Sequence, residues 1–89
     1  MAFNVFKVVR LDSINDGALW VATFHSLIDT DLFARAYMEN AKYDDCPAGY
    51  PILKVYRYIV DRERKSAPVL LRTYYPNAAD CSVVEMLEV

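Results

Sequence analysis

The side chains able to do chemistry in this chain are few and scattered. Its 89 residues hold one histidine, His25, and two cysteines, Cys46 and Cys81. A lone histidine offers no histidine pair for a metal and leaves only Cys-His or Asp-His combinations for nucleophilic catalysis. Cys46, beside Asp44 and Asp45, is the thiol such a pair would use, but no motif brings it to His25. The spacing instead predicts a strand-end imidazole, a loop thiol at Cys46 and a small apolar strand residue at Cys81. Asp12, Asp16 and Gly17 fall at positions one, five and six of an EF-hand-type calcium loop. Ile14 and Thr23 stand where that loop needs an oxygen ligand and a bidentate Glu, so the match fails on ligand chemistry.

Carboxylates are numerous, but acid–base catalysis needs two of them in one cleft with pKa values pushed apart. Here most fall in expected turns or on a polar helix face, with Asp29 and Asp31 as helix-capping acids. The chain has no glycine-rich phosphate loop, CxxC motif or nucleophile elbow. The expectation is a protein without catalysis, cofactor or metal.

Charge is the more informative pattern. From Lys54 to Arg72 the chain carries six bases (Lys54, Arg57, Arg62, Arg64, Lys65, Arg72) against Asp61 and Glu63, a balance of +4. The remainder holds four bases and ten acids, a balance of −6, and the whole is −2. Such a split predicts a basic hairpin on an acidic body, able to steer a charged partner. Tyr56, Tyr58, Tyr74 and Tyr75 interleave with the bases. Arg with Tyr suits a protein interface, and Tyr beside Arg also suits single-stranded nucleic acid. The sequence pI near 5.2 weighs against the second reading.

The elements that must position these groups follow from periodicity. Phe3 to Leu11 and Ala18 to Phe24 read as a hairpin around Asn15-Asp16-Gly17, with Asp-Gly supplying the positive φ of the turn. Trp20 reads as core. Ser26 and Asp29 have capping-box spacing. Thr30, Phe33, Ala34, Tyr37, Met38 and Ala41 then form one apolar stripe, and Asp31, Arg35 and Glu39 follow at four-residue spacing, which predicts a helix over Leu27 to Lys42. Tyr43 to Pro51 reads as a loop with a solvated Asp44-Asp45 pair. Ile52 onward and Pro68 to Tyr75 read as a second hairpin, Pro76-Asn77 as a turn, and Ser82 to Val89 as a last strand.

The fold class is therefore α+β: a single two-layer domain over residues 1–89, mainly antiparallel sheet with one helix on one face, in the order β-β-α-β-β-β. A hydrophobic fraction of 55% with only two glycines excludes disorder. The longest strictly apolar run, Ala18 to Ala22, is far short of a bilayer span, and Lys7 and Arg10 interrupt any signal-peptide core. A cytoplasmic protein with reduced thiols and no membrane partner is expected. The run from Met1 to Val89 fits a complete small reading frame acting alone.

Register decides which residues of the second hairpin share a face. Pairing Asp61 with Ser66 across a four-residue tip groups Tyr56, Tyr58, Val60, Val69 and Leu71 on an almost uncharged face suited to the helix. The opposite face then carries Arg57 and Arg72 among Leu53, Val55, Ile59, Leu70 and Tyr74. That second face, with Val55, Arg57, Arg72 and Tyr74 at its centre and Arg62, Arg64 and Lys65 at the rim, is the expected interaction surface. The expected function is a non-catalytic protein-binding module, plausibly a phage or mobile-element inhibitor of a host macromolecular complex. Small stand-alone inhibitors, anti-CRISPR proteins among them, are similar in size and simplicity. The alternatives are a single-stranded nucleic-acid or RNA-binding module using the basic, Tyr-rich hairpin, and a structural or assembly subunit dimerising through a sheet edge.

Overall fold

A computed structural model describes residues 2–41, 43–76 and 82–85 of the chain. Strand β1 spans Ala2–Leu11 and β2 Leu19–Phe24, helix α1 covers Leu27–Ala41, and β3 covers Ile52–Asp61. A two-residue stub, β4 (Arg64–Lys65), leads to β5 (Val69–Tyr75) and β6 (Ser82–Glu85). The sheet is antiparallel throughout, in the order β2-β1-β3-β5-β6 with β4 on β3, and α1 packs on one side. This is the expected α+β architecture and element order. Cys81, Asn77 of the expected turn and the end of the expected last strand lie outside the described residues, as does Lys42.

The helix starts where its capping chemistry places it. Ser26 Oγ accepts the Asp29 N–H at 3.3 Å, and the Ser26 carbonyl accepts from Thr30 N–H at 3.0 Å and Thr30 Oγ1 at 2.7 Å. The predicted stripe is the one that packs: Thr30, Ala34, Met38 and Ala41 are buried, and Phe33 and Tyr37 pack against the core at its margin. Arg35 bonds Asp31 at 3.0 Å one turn away, as the four-residue spacing predicts.

Two turns differ from expectation. The β1–β2 connection runs over 12–18 without a positive φ at Gly17, so the Asp-Gly hairpin turn is not formed. It is closed more loosely, by the Asp16 N–H to the Ser13 carbonyl at 3.4 Å. In the second hairpin Asp61 pairs with Arg64, which leaves only Arg62-Glu63 at the tip. Arg62 takes a φ of 59°, the positive value that a two-residue hairpin turn demands of its first central residue. Gly49, at φ 86°, occupies the third position of a turn closed by the Tyr50 N–H to the Pro47 carbonyl, where a side chain would be strained.

The shorter tip does not change who shares a face at the base of the hairpin. A one-residue irregularity between Val55 and Tyr56 makes Leu71 the extra residue of a bulge. Beyond it Val55 faces Arg72 and Leu53 faces Tyr74, the pairs a four-residue tip would also produce. Nearer the tip the sides do change: Leu70 lies opposite Tyr56, Val69 lies opposite Arg57, and Leu71 packs against the core. What differs is which face the helix covers. The core is Phe6, Val8, Ala34, Met38, Leu53, Val55 and Tyr74. The face expected to be free is thus the one beneath α1, where Val55 and Tyr74 are each 0% exposed.

Asp31 is the physical reason. Its Oδ1 accepts the Tyr74 hydroxyl at 2.7 Å and the Arg72 guanidinium at 3.2 Å, while Oδ2 accepts from Arg35. A carboxylate from the helix thus neutralises the arginine and satisfies the one tyrosine hydroxyl lying under it. Asp31 therefore ties two layers together and is no mere capping acid. Burial alone would raise its pKa, but the Tyr74 hydroxyl, Arg35 and Arg72 outweigh it and hold the carboxyl below its ordinary value. Burial and the bond to Asp31 push the Tyr74 phenol up to about 12.

Three outcomes are expected of stability. Ser26→Ala should lower it by about 0.5–2 kcal/mol, read as a shifted urea midpoint at unchanged slope. Asp31 binds protons less readily folded than unfolded, so its contribution is complete above the unfolded value of about 4 and is lost as pH falls through the folded pKa. Tyr74 behaves oppositely: its contribution is complete below about pH 10 and is lost as pH rises toward 12. Urea midpoints should therefore fall on both limbs. Asp31→Asn should lose about 1.5–3 kcal/mol at neutral pH and flatten the acid limb; an acid limb as steep as in the parent would assign it to other carboxyls.

Candidate functional site

With α1 on one side, strand alternation turns a second set of side chains to the other. β1 contributes Val5, Lys7 and Val9, and β3 contributes Lys54, Tyr56, Tyr58 and Val60. In register, Lys7 faces Tyr56, Val5 faces Tyr58 and Val9 faces Lys54. Lys65 of β4 lies opposite Val60, and Leu70 and Thr73 of β5 lie opposite Tyr56 and Lys54. On β2, Trp20 faces Val9 and Thr23 faces Lys7. No helix covers this side among the described residues.

The open face is apolar and aromatic at its centre and positive around it. Val5 and Val9 are buried low between larger neighbours. A shallow depression of about 370 Å³ is lined by Lys7, Val9, Ala18, Tyr56, Tyr58, Lys65, Ser66 and Pro68. Lys65 Nζ lies 5.7 Å from the centre of the Tyr58 ring, within cation–π reach. Trp20, expected in the core, is 66% exposed on the outermost strand. Its indole N–H donates to Thr23 Oγ1 at 2.8 Å, which fixes the ring along β2.

Charge is sorted between the two sides. Among β1 to β5 the only acid is Asp61, whose place in β3 next to Val60 gives it the opposite parity to the open face. Among the described residues no carboxylate pairs with Lys7, Lys54 or Lys65. The arginines behave differently. Arg72 and Arg35 meet Asp31, and Arg10 meets Asp12 and, at 2.9 Å, Asp44. The six bases read from the sequence stand in β3 to β5 and their tip, and two of them, Lys54 and Lys65, share the open face with Lys7.

Val55 and Tyr74 are core, and Arg57 and Arg72 are partly buried on the helix side. These four do not form an exposed interface, because the helix lies over them. Arg62, Arg64 and Lys65 are exposed at the hairpin end, as expected. Of the three, only Lys65 belongs to the open face. Lys7, Lys54, Tyr56 and Tyr58 carry the open face and were not assigned to it. Strand parity puts Tyr56 and Tyr58 on one side and Tyr74, whose hydroxyl the helix acid Asp31 accepts, on the other, so the signal that finds them is which tyrosine that acid can serve.

The remaining candidate chemistry is dispersed. His25 packs edge-on against Phe3, ring centres 5.4 Å apart, with Nδ1 3.4 Å from the Asn4 carbonyl oxygen. Cys46 Sγ lies 3.7 Å from Arg10 at the other end of β1. From Asn4 to Arg10 along a strand is roughly 20 Å, so His25 and Cys46 form no pair. Arg10 instead clasps the loop before β3. It donates to Asp12, Asp44 and, at 2.9 Å, the Tyr37 hydroxyl, which makes Asp44 an anchor and not a free loop acid. Burial opposes its charge, but those partners outweigh it and raise its pKa above the ordinary arginine value. No helix among the described residues is long and apolar enough to cross a membrane. The chain matches no protein-family model, no curated protein and no solved structure.

Proposed function

We propose that this chain is a small non-catalytic binding module that holds an anionic macromolecule on the open face of its sheet. The observation that carries this reading is the trio Lys7, Lys54 and Lys65, which have no ion-pair partner among the described residues and surround an aromatic patch. Unpaired cations over a partly apolar face attract and orient an anion, and the apolar centre adds short-range affinity once it arrives. The net charge of −2 does not oppose this. Asp29, Asp31 and Glu39 stand on the helix, beyond the sheet, at a range where physiological salt screens exposed charges over about 8 Å.

Retention on immobilised heparin tests the reading. The parent protein should be retained at low salt. The variant Lys7→Glu/Lys54→Glu/Lys65→Glu should pass through while keeping its circular dichroism and urea midpoint. Arg62→Glu/Arg64→Glu, at the hairpin tip, should elute only slightly earlier than the parent. Tip reversal that abolishes retention beside a silent face reversal would move the site to the tip and sink the proposal, as would a parent protein that never binds.

A further inference from the structure

Resting on that reading, the geometry points to a single-stranded nucleic acid as the anion, with its bases stacked on Tyr58, Tyr56 and Trp20 and its phosphates held by Lys7, Lys54 and Lys65. Tyr56 and Tyr58 are alternate residues of β3, so their side chains leave the same face roughly 7 Å apart. Trp20 stands across the sheet from them: it lies opposite Val9, two strands from β3 and two residues along from the Lys7–Tyr56 pair, on the order of 12 Å from Tyr56. The three rings thus run diagonally from the hairpin end, where Lys65 stands, to the β2 edge. Lys7 sits between them, in register with Tyr56 on one side and Thr23 on the other.

This alternation of rings and cations matches a strand that presents a π-face and a phosphate at each nucleotide. An acidic polypeptide or a sulfated polysaccharide would use the lysines but gain little from the rings. A duplex keeps its base faces stacked inside and cannot offer them to a flat sheet. The depression beside Tyr56 and Tyr58 adds a place for one base: Val9 lines it with both rings, and Lys7 and Lys65 flank it. The Trp20–Thr23 hydrogen bond holds the third ring in place before any ligand arrives, which reduces the ordering needed on binding.

Fluorescence anisotropy with a labelled deoxythymidine 12-mer tests the assignment, with a blunt duplex of the same length, heparin and poly-glutamate as competitors. Since Trp20 is the only tryptophan, its emission should be quenched as the 12-mer saturates. Tyr58→Ala and Tyr56→Ala should each weaken binding about tenfold or more, whereas Tyr58→Phe and Tyr56→Phe, which keep the ring, should bind within about twofold of the parent. The phenylalanine pair separates lost stacking from lost folding. Affinity should also fall steeply between about 50 and 200 mM salt. Equal affinity for 12-mer, duplex and poly-glutamate, with silent Tyr→Ala variants and unquenched Trp20, would overturn the nucleic-acid assignment while heparin retention still supports an anion-binding face. Loss of heparin retention itself, or its indifference to the lysine reversal, would instead remove the reading on which the inference rests.

Discussion

Asp31 accepts from three donors at once, the Tyr74 hydroxyl, Arg72 and Arg35, and two of those donors rise from the sheet beneath it. Without such a carboxylate, the face carrying Arg72 and Tyr74 could not be covered, because a partly buried guanidinium and a buried phenol both need partners. With it, the helix settles on Val8, Leu53 and Val55, and the hydrogen bonds fix its position over the sheet. A single polar junction thus decides which side of an amphiphilic sheet becomes core. Everything on the other side, including the half-buried Tyr56 and Tyr58 and the exposed Trp20, follows from that choice.

The same choice sorts arginine from lysine. Arg10 and Arg72 are partly buried, Arg10 held by Asp12, Asp44 and the Tyr37 hydroxyl and Arg72 by the helix acid Asp31, contacts that a planar, forked guanidinium can make in several directions. The three lysines on the open face have none of these partners. A strongly hydrated ammonium on a flexible stem suits the anion-binding role proposed for that face. Residues that looked equivalent in the charge balance of the sequence therefore do two different jobs, one holding the layers together and the other leaving a field on one face.

Much of the fold could be read in the sequence because local chemistry determines it. Ser26 and Asp29 announce the helix start, and the stripe from Thr30 to Ala41 announces its buried side; both are found in place. Strand parity correctly grouped Val55 with Arg57, Arg72 and Tyr74. Parity says which residues share a face, however, and not which face is covered. Charge was the tempting arbiter and it pointed the wrong way, because it treats Arg72 as needing water when Asp31 can serve instead. Turn chemistry misled twice for a related reason. Gly17 offers a positive φ that the 12–18 connection does not take, while Arg62, a residue with no such preference, is driven into one by the pairing of Asp61 with Arg64.

The position of the acids completes the electrostatic picture. Asp29, Asp31 and Glu39 lie on α1, and Asp12, Asp16, Asp44 and Asp45 lie in the loops at the Arg10 end of β1. These seven acids stand on the helix layer and in the loops at the Arg10 end of β1, while Asp61 and Glu63 stand at the hairpin end. On the proposed reading, an anion approaching the open face meets Lys7, Lys54 and Lys65, an attraction that acts within roughly a Debye length. Acidity of the whole chain is compatible with the proposed anion binding, because among β1 to β5 the one acid, Asp61, has the opposite parity to the open face.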